Sequence, residues 1–282
     1  MIVGESARQE FKTDGVTFLP GALPPDSVRM AEEAFAWSVE HPGPTASPRV
    51  ESTSDAPAVF GFSDLCNPDA PGHPLYVRLL RASPLGQIVA DLWGEDEVWF
   101  MYEQVFLKEG GENRRTPWHQ DAPYLSVEGD HLAVIWISFD PVPAEDSLEF
   151  VRGSHRQTLY NTSAFDPDDE TIPIWEGLPR LPDIEGDRAR WDIVSWAVTP
   201  GDLIVFHPAM LHGGAATHPG GRRRTLSLRF FGPDATYVTR PGGGVAPRVE
   251  GLHDHLADGQ PFRHPAFPKV DVRATAGGIQ AS

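Results

Sequence analysis

The sequence holds a single cysteine, Cys66, among 282 residues. One thiol excludes an intrachain disulfide framework and any cysteine-built metal cluster. Basic residues are scarce as well: 23 Lys and Arg stand against 40 Asp and Glu, a formal net charge of −17. Nucleic acids and anionic membranes are held mainly by clustered Lys and Arg, so neither is an expected partner. The one dense basic run, Arg222-Arg223-Arg224, is too short to reverse that balance and calls for a local explanation. Long apolar runs are missing too, and none approaches the ~18 residues that a membrane span needs. The first residues, Met1-Ile2-Val3-Gly4-Glu5, show no basic stretch followed by an apolar one, so no signal peptide is expected. A cytoplasmic globular protein fits these absences.

What is present divides into two characters. Up to about residue 97 the pattern is helical. Ser6 and Gln9 form a capping-box pair ahead of a short helix that Gly15 stops, and Val16–Leu19 reads as a strand. Pro24-Pro25-Asp26 opens a second helix with Val28, Ala31, Phe35 and Val39 near helical spacing. Pro74–Arg81 and the stretch from Ser83-Pro84 to Leu92 give two more helical pieces. Between them, His41–Gly72 is rich in Pro, Ser, Thr and Asp and carries one apolar patch, Val59-Phe60-Gly61-Phe62. It reads as a long loop or lid.

From Val98 the pattern changes to short strand-like runs: Val98–Lys108, Leu132–Phe139, Leu148–Val151, Asp192–Val198, Asp202–Phe206 and Thr225–Phe231. Strands without intervening helices predict an antiparallel sandwich or barrel. Residues 233–282 are rich in Gly and Pro and read as a wrapping tail. The expected organisation is one domain over 1–282: a helical layer (1–97), a β-core (98–232) and the tail.

Only one of the eleven histidines is followed two positions later by an aspartate, in His119-Gln120-Asp121. If the segment is extended, i and i+2 share a face, and an imidazole and a carboxylate converge. A divalent metal then needs a further ligand from a distant strand. His207 and His212, in Phe206-His207-Pro208-Ala209-Met210-Leu211-His212-Gly213-Gly214, are the candidates. His212 precedes a glycine pair where the backbone can turn tightly, whereas His207 falls at a strand end. Two histidines and one carboxylate with open positions is the Fe(II) oxygenase arrangement. His253-Asp254-His255 has ligand spacing too, but lies in the tail without a rigid strand to orient it.

Four segments carry a family resemblance. Thr116-Pro117-Trp118-His119-Gln120-Asp121-Ala122-Pro123-Tyr124 resembles the metal-binding segment of the phytanoyl-CoA hydroxylase family of Fe(II)/2-oxoglutarate dioxygenases. Ala144–His155, Pro200–Gly213 and Arg222–Phe230 are similar to that family's later segments, in order and with sensible spacing. Ser147 and Arg152 depart mildly from its pattern. The resemblance implies a mainly β fold, a double-stranded β-helix (jelly-roll, cupin-like) core with N-terminal helices packed on one face. It also implies Fe(II), with 2-oxoglutarate and O2 as cosubstrates.

Carried over residue by residue, it makes His119, Asp121 and His212 the iron ligands and Arg223 the partner of the distal carboxylate of 2-oxoglutarate. A planar guanidinium suits that carboxylate better than an ammonium does. Strand alternation puts Arg223, Thr225, Ser227 and Arg229 on one face, and leaves Arg222 and Arg224 as a solvated turn. Lys108 and Trp136 match residues beside the cosubstrate. Tyr102, Gln104 and Phe106 share a face with Lys108, and with Tyr124, Phe62 and Arg229 they are the expected substrate contacts. The reaction implied is hydroxylation, or desaturation, ring chemistry or other oxidative chemistry by the same site. A cupin-like metal-binding protein and a zinc hydrolase are the alternatives from other classes, and neither needs Arg223.

Overall fold

A computed structural model describes residues 2–43, 47–49, 62–109, 115–161, 166, 168–214, 222–240 and 246–272. In chain order the helices are α1 (Glu5–Asp14), α2 (Pro25–Glu40), α3 (Pro74–Ala82), α4 (Leu85–Trp93) and a short α5 (Leu252–His255). The strands are β1 (Val16–Leu19), β2 (Ser47–Arg49), β3 (Phe62–Leu65), β4 (Trp99–Glu109), β5 (Thr116–His119), β6 (Val127–Glu128) and β7 (Leu132–Ser138). They continue with β8 (Leu148–Val151), β9 (Ile193–Val194), β10 (Leu203–Phe206), β11 (His212–Gly214), β12 (Arg222–Phe231) and β13 (Thr236–Tyr237).

The larger sheet has the order β1-β10-β7-β12-β4-β3-β2, a smaller one β5-β11-β8-β9, and β6 pairs with β13 in a separate two-stranded sheet. From β4 to β12 the chain passes back and forth between the first two sheets, and every pairing in both is antiparallel. This is the jelly-roll, double-stranded β-helix core that the strand pattern and the resemblance predict.

The larger sheet is covered on both faces, which explains why its central strands read as continuous apolar runs. All seven residues of β7 are buried. Ala133, Ile135 and Ile137 join Leu203, Val205, Leu226 and Leu228 in the core beneath the helices. Val134 and Trp136 turn the other way, with Ile204 and Phe206, toward Phe150 of the smaller sheet. Burying each such side chain contributes about 1.5–3 kcal/mol, so the period-two split fixes which residues face the space between the sheets. Near the end of β12 the register to β4 slips between Arg229 and Phe230. The bulge sends Phe100 to the helical side opposite Phe230 and leaves Tyr102 and Arg229 facing inward.

On the helical side, Glu103 of β4 is fully buried. Its Oε1 accepts from Ser38 Oγ (3.1 Å) and the Asn67 amide (2.8 Å), while Oε2 has no partner among the described residues. Burial pushes its carboxyl up to about 7. Ser38 in turn bonds Tyr76 Oη at 2.8 Å, tying α2, α3 and β4 together.

Several local expectations change. The segment 41–72 is not simply a lid: β2 and β3 extend the large sheet beyond β4, with Phe62 opposite Lys108. Ser-Pro-Arg and Phe-Ser-Asp-Leu lack the apolar alternation that marks a strand, because edge strands need little of it. Val59 and Phe60 lie outside the described residues. No capping box forms at Ser6; Gly4 is the N-cap of α1, without a side-chain bond, and Gly15 ends the helix at φ 78°. The run 192–198 shortens to β9, since Ser195 Oγ turns to Ala144 O (2.8 Å) beyond the end of its pairing with β8. Phe262 and Phe267 are buried against Phe231, and the Val270 amide bonds Val98 O at 2.8 Å.

Candidate metal centre

His119 ends β5, and β11 lies antiparallel beside it with His212 directly opposite His119. Their rings sit 4.2 Å apart, centroid to centroid. Asp121 does not share a strand face with His119. The chain leaves β5 and enters a 3-10 turn over Ala122–Tyr124, capped by Asp121 at φ −73°, ψ −33°, and this turn swings the carboxylate back. Asp121 Oδ1 then lies 3.5 Å from His119 Nε2 and 3.9 Å from His212 Nε2.

Each ring is oriented through its other nitrogen. His119 Nδ1 meets Pro117 O at 2.8 Å, and His212 Nδ1 meets Met210 O at 3.0 Å. An Nδ1–H donated to a carbonyl leaves the Nε2 lone pair facing the centre. Burial, with His119 adding to it, drops His212 to about 4, so its ring is neutral at physiological pH. Burial alone would raise Asp121, but Arg229 and the two imidazoles hold it well below the usual carboxylate range. Two imidazoles and an ionised carboxylate, with ligand atoms within 4.8 Å of one another, fit a divalent transition metal with positions to spare.

His212 opens β11 instead of closing a segment at a tight turn. Gly213 and Gly214 are strand residues paired with Glu149 and Leu148. A Cβ on Gly213 would lie 3.0 Å from Thr116 O, so glycine there lets β11 approach β5 closely. His207 stands apart: its Nε2 meets Gly129 O at 3.1 Å and its Nδ1 accepts from the Ala209 amide at 3.1 Å. His253 bonds Tyr237 Oη at 2.5 Å and His255 packs on His264, both within the tail.

Arg223 and Lys108 face each other across β12 and β4, both buried. Arg223 Nη1 donates to Asp146 O at 2.5 Å, and burial lowers its guanidinium to about 10, still protonated at neutral pH. Thr225 and Trp136 are buried on the same inner side. Arg224 is not a solvated turn residue: it points to the helical side and pairs with Asp140 (2.9 Å) and with Glu32 of α2. Arg222 is exposed at the start of β12.

Of the expected substrate contacts, Tyr102 and Gln104 gather around Arg229. Its guanidinium stacks 4.7 Å over the Tyr102 ring, and Nη2 donates to Gln104 Oε1 at 2.6 Å. Nη2 also donates to Asp121 Oδ2 at 2.9 Å. Phe106 is half-buried, and Tyr124 meets the edge of Trp175 at 5.8 Å. The link from Arg229 to Asp121 is not foreseeable from spacing, because the two are 108 positions apart. Gln120 was missed too. Buried between the two ligand positions, it accepts from the Tyr160 amide (2.8 Å) and donates to Ala209 O (2.7 Å), fastening the 158–161 segment to the metal turn.

A jelly roll that brings two histidines and a carboxylate together between its sheets has the cupin-like architecture and a donor set that could hold one metal ion. The chain matches the family described as phytanoyl-CoA dioxygenase (PhyH) over residues 11–225, and it belongs to that family. The peroxisomal phytanoyl-CoA dioxygenase of Homo sapiens is 28% identical over 140 residues, 47% of this chain and 38% of that protein. The alignment thus spans well under half of that relative's length. Among solved structures, the non-heme alpha ketoglutarate dependent carbocyclase SnoK of nogalamycin biosynthesis superposes with TM-score 0.68 at 19% identity, covering 95% of this chain and 96% of that one. The epimerase SnoN, solved with Fe3+, alpha ketoglutarate and nogalamycin RO, gives TM-score 0.69 at 19% identity, with 94% and 97% covered. Among the described residues no helix is long and apolar enough to cross a membrane.

Proposed function

We propose that the 282 residues form one Fe(II)- and 2-oxoglutarate-dependent dioxygenase unit that hydroxylates an unactivated C–H bond of a small organic substrate, with release of succinate and CO2. The observation that carries this reading is the convergence of two Nε2 lone pairs and one carboxylate oxygen, each ring fixed by a backbone carbonyl. Iron bound there supplies oxygen activation, driven by oxidative decarboxylation of 2-oxoglutarate. The solved SnoN complex, which contains Fe3+ and alpha ketoglutarate on the same fold, supports the choice of metal and cosubstrate.

The chain's own residues then have separable tasks. His119, Asp121 and His212 hold the iron and leave positions open. Arg223 and Lys108, two buried cations in register on adjacent strands, receive the distal carboxylate of 2-oxoglutarate. Thr225 and Trp136 flank the cosubstrate, and the indole keeps water from it. Tyr102, Gln104, Phe106 and Tyr124 form the substrate side. Placement of the target carbon decides the outcome. The names carbocyclase and epimerase on two neighbours favour ring closure or epimerisation as a second reading. A zinc hydrolase would use the same three ligands but gives no role to buried Arg223 and Lys108. Reaction under labelled dioxygen separates these readings: hydroxylation puts one labelled oxygen into succinate and the other into the product. Turnover without succinate would refute the proposal.

A further inference from the structure

Arg229 is 5% exposed, and only one of its three guanidinium nitrogens is engaged. Nη2 gives its two hydrogens to Asp121 Oδ2 and Gln104 Oε1, at 2.9 and 2.6 Å. Nε and Nη1 are buried and meet no acceptor among the described residues. A buried N–H without an acceptor is costly, and a charged one more so, so a fold keeps such donors where a ligand satisfies them. The Tyr102 ring covers one face of the guanidinium, which leaves the in-plane directions for acceptors.

The charge around it points the same way. Lys108, Arg223 and Arg229 are all buried on the inner face, on a chain whose net charge is −17. Asp121 meets Arg229, and half-buried Asp146 lies near Arg223. Arg229 is bonded to a metal-ligand carboxylate, so an anion on its free donors sits beside the metal. It is also beyond residue 225, where the family match ends.

We infer that Arg229 makes the centre selective for a substrate with a carboxylate close to the carbon that reacts, taken by the free Nη1 hydrogens while Nη2 holds Asp121. Gln104 keeps the guanidinium in plane for both tasks. This rests on the proposed dioxygenase reading, because the open metal positions define where the substrate lies. The carboxylate could also come from 2-oxoglutarate itself, and the test separates the two sources.

The test uses the Co(II)-loaded protein saturated with 2-oxoglutarate under anaerobic conditions, titrated with butyrate and with its neutral counterpart butyramide. Calorimetry and the Co(II) visible band report binding. Butyrate is expected to bind at least tenfold more tightly than butyramide. Arg229→Gln is expected to bring the two within twofold, and Arg229→Lys to keep most of the preference. Gln104→Glu, which puts a carboxylate against Arg229 without removing it, is expected to abolish the preference as well, and covers the case in which Arg229→Gln does not fold. Equal binding of both probes to the unaltered protein would overturn the inference, as would an unchanged preference in Arg229→Gln or Gln104→Glu. If the butyrate Kd rises in proportion to 2-oxoglutarate, the carboxylate belongs to the cosubstrate, and the substrate assignment fails. Failure of 2-oxoglutarate to bind at all would refute the dioxygenase reading instead, so the two failures are distinct.

Discussion

Glu103→Gln isolates one buried carboxyl whose protonation the fold controls. Glu103 is fully buried, has one oxygen without a partner among the described residues, and is raised by burial from 4.5 to about 7. The folded state therefore prefers the protonated form. The stability this contributes is fully present below pH 4.5, and is lost as the pH rises through about 7. A rise of roughly 2.5 pH units at 1.36 kcal/mol each amounts to about 3 kcal/mol lost by pH 8, to order of magnitude. Glutamine keeps the shape and a neutral head, so the variant escapes that loss. Metal-free protein melted at pH 5 and pH 8 should show the variant close to the parent at pH 5. At pH 8 it should melt about 5 °C higher, from the per-residue unfolding entropy of a chain this long. Equal destabilisation by Glu103→Gln at both pH values would show that the carboxylate is ionised and paired, and the reasoning from burial would be wrong.

His119→Ala, Asp121→Ala and His212→Ala should each abolish turnover and weaken Fe(II) binding, whereas His207→Ala and His255→Ala retain iron; tight iron binding in His212→Ala would remove it from the ligand set. Arg223→Ala should raise the 2-oxoglutarate requirement roughly 10- to 150-fold, the equivalent of a charge-assisted hydrogen bond of about 1.5–3 kcal/mol. Arg222→Ala should leave that requirement unchanged. Arg224→Ala should instead lower stability by about 1 kcal/mol through its pairs with Asp140 and Glu32, read by denaturant midpoint, with cosubstrate affinity intact.

The core was legible where packing dictates sequence. Leu132–Ser138, Leu148–Val151 and Leu203–Phe206 announce themselves because both faces are covered or alternate cleanly. The alternation that separates Arg223 from Arg224 also held, since one neighbour faces Lys108 and the other Glu32. The candidate ligand residues were visible in sequence as types and spacing, but the geometry that unites them was not. Asp121 converges through a 3-10 turn, and His212 through a three-residue strand too short to carry a pattern. β2 and β3 were hidden for a similar reason, because an edge strand borrows its pairing from β4 and needs little apolar content of its own. Contacts such as Arg229 with Asp121, or Gln120 with Ala209, depend on distant segments meeting, and nothing in local composition reports them.

Anaerobic titration of the Fe(II) protein with 2-oxoglutarate, followed by its weak visible charge-transfer band, tests the central claim most directly. A band that saturates at one equivalent and requires much higher 2-oxoglutarate in Arg223→Ala is the predicted result. Stoichiometric iron with no band at saturating 2-oxoglutarate would contradict it.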